Sequence, residues 1–344
     1  MKIALVGYKG SGKSTLFEWL TGTRADPALA HALQSAMVPV PEPRVEALAR
    51  IYRPKKVTYA SLEIVDTPGL SRSHEGNAAR LAQIREAGCL VLVVPAFDGS
   101  DPSAELRAFL EDFILADMEI VANRIQRVED QLRKPLPRHE HEQLEHEHQT
   151  LKTVLAGLES GQPLTEAEMT DEQRRATRSF RLLTEKPRMA IINTADDETQ
   201  PQRYLSAMPA DLPAVAISVG LERELAKMTP EEQAAFRAEM GVGGADRDQL
   251  LRTLMDVSGQ RLFLTAGEKE VRSWMIRKGG TAIEAAGIIH TDLARGFIRA
   301  EIMHCADLVR LGSEREVKAH HLVRQEPKDY VIQDDDVVLI RFSV

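Results

Sequence analysis

The residues of this chain best suited to chemistry lie near its N-terminus. The stretch "GYKGSGKST", residues 7–15, matches G-x-x-x-x-G-K-[ST] and falls between an apolar run and a helical pattern, the context that gives the motif its meaning. Glycines at 7, 10 and 12 permit a tight curl whose backbone N–H groups face phosphate oxygens, with the positive end of a helix dipole behind them. Gly7, Lys9, Gly10, Ser11, Gly12, Lys13, Ser14 and Thr15 are therefore the expected nucleotide-binding loop. Lys13 reaches the terminal phosphates, and the Ser14 hydroxyl is a ligand for Mg²⁺. Further on, "VDTPGL" (65–70) closes a strand. Asp66 is expected to hold the same Mg²⁺, and the Gly69 N–H to touch a γ-phosphate and sense its loss. Lys13 and Gly69 are thus the candidate catalytic groups. Leu70 stands where many GTPases carry a water-orienting glutamine, which predicts slow intrinsic hydrolysis or help from another group. His74 and Glu75 are near, in a stretch that reads as solvated loop.

A base-reading loop is visible in "NTAD" (193–196), which follows an apolar run. Guanine readers use N-K-x-D: the aspartate accepts from two guanine N–H groups, the asparagine braces the loop and the lysine packs on the base. Here Asn193 and Asp196 are present, but Thr194 takes the lysine position. Ser218, in "AISVG" (216–220), would lie beside the base. These residues alone leave ATP and GTP both open.

Several elements must position these groups. Apolar runs at 2–7, 89–97, 188–194 and 214–219 read as buried parallel strands, and "VTYASLEIVD" (57–66) as another. Helical patterns at 13–22 and 77–88 alternate with them, which implies a parallel sheet covered on both faces. From about Asp112 to Thr184 the chain is charge-rich and apolar at helical spacing: Val121, Ile125, Val128, Leu132, then Leu144, Leu151, Leu155, Leu158. The prolines of "KPLPR" (134–138) interrupt that pattern, so two long helices folded into a coiled-coil hairpin are expected. A small α+β domain is expected from about Gly259.

Composition narrows the class. The net charge of −8 does not announce a general nucleic-acid binder. The two cysteines, Cys89 and Cys305, are far apart in apolar surroundings and read as reduced core residues of a cytosolic protein. Neither a secretory leader nor a membrane span is expected. The His/Glu cluster 138–148 reads as a solvated helix face, not a metal site, and Trp19 and Trp274 as core anchors. "EVRSWMIRKGG", with Arg295 and Arg299, could present a basic face to RNA phosphates.

With the phosphate loop, "VPVPEPR" (38–44), "RPKKV" (53–57), "EGN" (75–77), "LLTEKP" (182–187) and "TAGEKEVRSWMIRKG" (265–279) make the chain resemble the YchF, or Obg-like ATPase, family. "IIHTDLARGFIRAEI" and "KDYVIQDDDVV" are the most specific matches. The resemblance implies an α/β P-loop NTPase sheet domain, an inserted coiled-coil hairpin and a C-terminal TGS domain of β-grasp shape. The expected boundaries are 1–115 plus 185–258, 116–184 and 259–344. It also implies ribosome binding and a preference for ATP, and it matches an apolar residue at Leu70. Departures are specific. Asp196 replaces the family's glutamate, Gly10 replaces its asparagine, and "DPALAHALQSAM" (26–37) lacks a first-switch threonine near Ala30. The expectation is a cytoplasmic Mg²⁺·ATP switch, with GTP as the other nucleotide and a ribosome or RNA partner. The alternative is a ribosome- or protein-binding adaptor with a vestigial pocket.

Overall fold

The protein is described here by a computed structural model covering residues 1–29, 31–161 and 169–343. Its strands, in chain order, are β1 (Lys2–Val6), β2 (Gln34–Pro39), β3 (Lys56–Thr58), β4 (Ser61–Asp66), β5 (Cys89–Pro95), β6 (Arg188–Asn193), β7 (Ala214–Ile217), β8 (Gln260–Ala266), β9 (Glu270–Arg277), β10 (Phe297–His304), β11 (Arg324–Glu326) and β12 (Asp336–Phe342). The helices used below are α1 (Lys13–Thr21), α2 (Pro43–Tyr52), α3 (Asn77–Ile84), α4 (Pro102–Leu132), α5 (Arg138–Glu159), α6 (Asp171–Thr177), α7 (Val219–Leu225), α8 (Pro230–Met240), α9 (Arg247–Val257) and α10 (Ala282–Ile289). The chain forms two compact units, residues 1–36 with 63–245 and residues 37–62 with 246–344.

The first unit is built on a sheet of order β2-β4-β1-β5-β6-β7. From β4 to β7 every pairing is parallel. Strands buried on both faces need continuous apolar runs, and β5 is buried at every position. Phe109 and Phe113 of α4 pack into the same core as Val6, Leu90 and Leu92. The helix then continues beyond the sheet, where Val121 and Ile125 meet Leu151, Val154 and Leu158 of α5. Full burial of such side chains stabilises by about 1.5–3 kcal/mol each. The helix therefore runs unbroken across the position 115/116 at which a boundary was expected. Its N-terminus is set by Asp101, whose side chain accepts from the Ser103 N–H, with Pro102 at the first position. At the root of the hairpin the fully buried Asp117 is held by Arg85 at 2.6 Å and by the Leu183 and Thr184 N–H groups and the Thr184 hydroxyl. A buried carboxylate so fully partnered fixes the geometry around it.

The second unit is a sheet of order β11-β10-β12-β8-β9-β3. β8 and β9 form an antiparallel hairpin, α10 packs on one face, and β12 returns parallel beside β8, the β-grasp arrangement. One expectation needs correction. "VTYASLEIVD" is not one strand: β3 pairs with β9 through Lys56↔Glu270, whereas β4 pairs with β1. The ladder breaks at Ala60, whose N–H is taken by the Ser273 hydroxyl at 2.9 Å. Cys89 and Cys305 are buried and free. Trp19 is buried, and Trp274 packs half-buried against the second core. Among the described residues no helix is long and apolar enough to cross a membrane.

Candidate nucleotide site

β1 ends at Val6, and the chain curls back on itself before α1 begins. Gly12 caps that helix with φ near +98°, a left-handed backbone, and a Cβ there would fall 2.3 Å from Asn193 Nδ2. Only glycine fits. Lys13 turns its Nζ back over the loop to the Tyr8 carbonyl at 3.0 Å. The side chain is 6% exposed, and burial draws its pKa down to about 8 against the opposing pull of Asp66. A buried ammonium facing one carbonyl is short of anionic partners.

Ser14 Oγ donates to Asp66 Oδ2 at 2.6 Å. Asp66 Oδ1 and Ser11 Oγ are buried and have no partner among the described residues. Burial raises the Asp66 pKa, opposed by the Ser14 hydroxyl and the Lys13 charge. An orphaned carboxylate oxygen beside a hydroxyl is a hard-oxygen donor set, so the residues present fit Mg²⁺.

The turn after Asp66 lies directly on the phosphate loop. A Cβ on Gly69 would meet Lys9 Cα at 2.7 Å and Lys13 Nζ at 3.1 Å. Leu70 N–H donates to the Gly7 carbonyl at 3.1 Å, and Lys9 N–H donates to the Leu70 carbonyl at 3.0 Å. The Lys9 N–H, expected to face phosphate, is held by this turn in the structure. Lys9, Gly10, Lys13, Ser14, Asp66 and Gly69 all line one cavity of about 880 Å³. Thr15, in the first turn of α1, lies outside that lining.

Sequence reading missed other residues of the same cavity: His31, Gln34, Arg72 and Arg80. His31 and Gln34 bring the segment 26–37 to the cavity, and no motif in that segment marks them. Ala30, the position of the missing threonine, lies outside the described residues. Glu75 lines the cavity, but His74 does not; its Nδ1 faces Asp112 Oδ1 of α4 at 3.2 Å. Asp112 also accepts from the Tyr8 hydroxyl at 3.0 Å.

Residues 193–196 stand outside the cavity lining, and Asn193 joins them to residues 7–15. Asn193 Nδ2 donates to the Ser11 carbonyl, and Asn193 Oδ1 accepts from Val219 N–H, each at 3.1 Å. The side chain thus links residues 7–15 to the start of α7. Asp196 Oδ1 accepts from the Ser218 hydroxyl at 2.6 Å and from Leu221 N–H at 3.1 Å, so it caps α7.

Elsewhere, charged side chains of the His/Glu cluster and of the basic stretch near the C-terminus are paired within the chain. His141, His146 and His148 meet Glu145, Glu172 and Glu129. Arg277 pairs with Glu284, Lys278 with Asp256, Arg295 with Asp292, and Arg299 shares Glu301 with Arg341. Arg272 stacks 3.8 Å above the Trp274 ring.

Residues 2–124 match a family described as "50S ribosome-binding GTPase", and residues 261–343 match the C-terminal domain of YchF-type GTPases, described as "Protein of unknown function (DUF933)". The chain is 32% identical to "Ribosome-binding ATPase YchF" of Bacillus subtilis, over 99% of this chain and 98% of that one. It is 34% identical to "Obg-like ATPase 1" of Oryza sativa subsp. japonica, over 100% of this chain and 92% of that one. The solved structure of the Schizosaccharomyces pombe YchF GTPase superposes with a TM-score of 0.84 at 26% identity, covering 99% of this chain and 97% of the other.

Proposed function

The chain belongs to the YchF, or Obg-like ATPase, family, and from that premise we propose that it is a nucleotide-driven switch that binds Mg²⁺·ATP and hydrolyses it slowly. One observation carries the reading: Lys13 and Asp66, both buried and both short of partners, line the same cavity. Charges left in that state cost stability, and a metal triphosphate supplies what each lacks.

Lys13 exchanges the Tyr8 carbonyl for phosphate oxygens, and the curl of residues 7–15 surrounds them with N–H groups. Ser14 and Asp66 would hold Mg²⁺, which when bound offsets charge on the β- and γ-phosphates. Gly69, pressed on the loop, donates its N–H to the terminal phosphate, and the whole turn then reports whether that phosphate is present. Leu70 is 0% exposed and apolar, so it orients no water, and slow turnover follows.

The absence of a lysine at Thr194 supports adenine over guanine. Thr194 offers no lysine stem to pack on guanine, and Asp196 Oδ1 is already shared between the Ser218 hydroxyl and the Leu221 N–H. Competition tests this directly: unlabelled ATP is expected to displace labelled ATP better than GTP does. GTP binding tenfold tighter would reverse the preference. The ribosome, named for the bacterial relatives, is the proposed partner, in the cytoplasm, contacted by the hairpin (116–184) and the TGS-like region (259–344). Burial of Leu70 also favours a second reading, an adaptor whose nucleotide pocket is only structural. Single-turnover hydrolysis with and without ribosomes separates the two: activity lost in Lys13→Ala supports the switch, and none under either condition supports the adaptor.

A further inference from the structure

We propose that Arg80 is an internal arginine finger, a guanidinium supplied by α3 that meets the charge developing on the γ-phosphate during hydrolysis. The inference rests on the reading of the cavity as an ATP site. In that reaction a water oxygen bonds to the γ-phosphorus while the bridging bond to the β-phosphate breaks. The electron pair of that bond stays on ADP, and the protons of the water end on the released phosphate and in solvent. Arg80 forms no covalent bond. It stabilises charge spread over the transferring oxygens, a role that Leu70 cannot share.

The cavity offers two arginines, and their surroundings differ. Arg72 is already engaged: it pairs with Glu105 at 2.6 Å and lies 5.2 Å above the Tyr8 ring. Arg80 has no carboxylate at ion-pair distance among the described residues. Its Nη1 donates to the Glu75 carbonyl and to Asn77 Oδ1, both at 3.3 Å, the weak end of the range, and its Nε and Nη2 carry no partner there. A half-buried guanidinium held by two long bonds to neutral oxygens gains most from an arriving anion.

Its mounting also suits the task. Asn77, at the start of α3, accepts from Ser71 N–H at 2.8 Å and donates to the Ser71 carbonyl at 2.9 Å. That pair of bonds ties α3 to the turn carrying Gly69 and Leu70. When the turn closes on a γ-phosphate, Arg80 travels with it.

The test uses the full chain and reads binding of ADP with Mg²⁺, with and without aluminium fluoride, which mimics the transferring phosphoryl group, alongside single-turnover ATP hydrolysis. Arg80→Ala is expected to bind ADP within about threefold of wild type, to lose the tightening by aluminium fluoride, and to slow hydrolysis by roughly 100-fold or more. Arg80→Gln keeps a donor for the Glu75 carbonyl without the charge and is expected to match alanine, whereas Arg80→Lys restores part of the rate. Tightening retained in Arg80→Gln, or absent from wild type that binds ADP, overturns the finger and leaves the ATP site standing. Wild type that binds neither ADP nor ATP removes the site itself, and the finger with it.

Discussion

At the phosphate end of the site, Lys13 Nζ has the Tyr8 carbonyl alone and Asp66 Oδ1 has no partner among the described residues. At the base end, both polar atoms of the Asn193 side chain are engaged, and Asp196 Oδ1 accepts twice. The first region leaves a buried carboxylate oxygen without a partner, and in the second the protein already bonds both Asn193 atoms and one Asp196 oxygen. Incomplete buried charge is costly, so it persists where a ligand finishes the arrangement. Groups already bonded within the protein gain less from a ligand than unpartnered buried ones. The contrast assigns affinity to the phosphates and leaves the base a minor part.

The largest expected effect is at Lys13. Lys13→Ala removes charge-assisted hydrogen bonds of about 3 kcal/mol, or roughly 100-fold in nucleotide affinity, measurable by calorimetry. An effect under threefold would erase the difference between the two ends. Next comes Asp66→Asn. Its Asp pKa is raised in the fold, so the ligand-free protein favours the neutral carboxyl, and the stability this gives at low pH is lost as pH rises through the folded pKa and the charged form takes over. The variant is expected to melt higher by about 1 kcal/mol while binding Mg²⁺·ATP roughly tenfold more weakly. Lower stability together with normal binding would contradict this account of Asp66.

Lys13 also gives a pH signature. With a pKa lowered to about 8, it loses its charge as pH rises above that point in the empty site. Affinity for triphosphate should fall roughly tenfold between pH 7 and 9, while the same titration slightly stabilises the empty fold, because the unfolded chain binds the extra proton. Flat affinity across that range would place the lysine outside phosphate contact. The smallest effect is at the base. Ser218→Ala frees Asp196 Oδ1 of one donor and is expected to raise GTP affinity relative to ATP by about 1 kcal/mol, less than tenfold. A larger shift would mean that the base end governs affinity after all.

Much of this was legible in the chain because it rests on local patterns. The glycine spacing of 7–15 fixes the loop, and continuous apolar runs fix the buried parallel strands. Helical spacing of Val121, Ile125, Leu151 and Leu158 identified the packed face of α4 and α5. What escaped depends on distant partners. Nothing near Lys56 announces its pairing with Glu270, so "VTYASLEIVD" reads as one strand. Nor does the composition of "DPALAHALQSAM" reveal that His31 and Gln34 line the cavity. The pairing of Arg72 with Glu105, 33 residues on, is what separates it from Arg80, and that pairing too is tertiary.

Calorimetry of Mg²⁺·ATP binding at pH 8 in buffers of different ionisation heat addresses the buried lysine most directly. Saturating exothermic or endothermic binding with uptake of about half a proton, abolished in Lys13→Ala, is the predicted result. No heat with ATP or GTP on folded protein, or uptake that persists without the lysine, would contradict it.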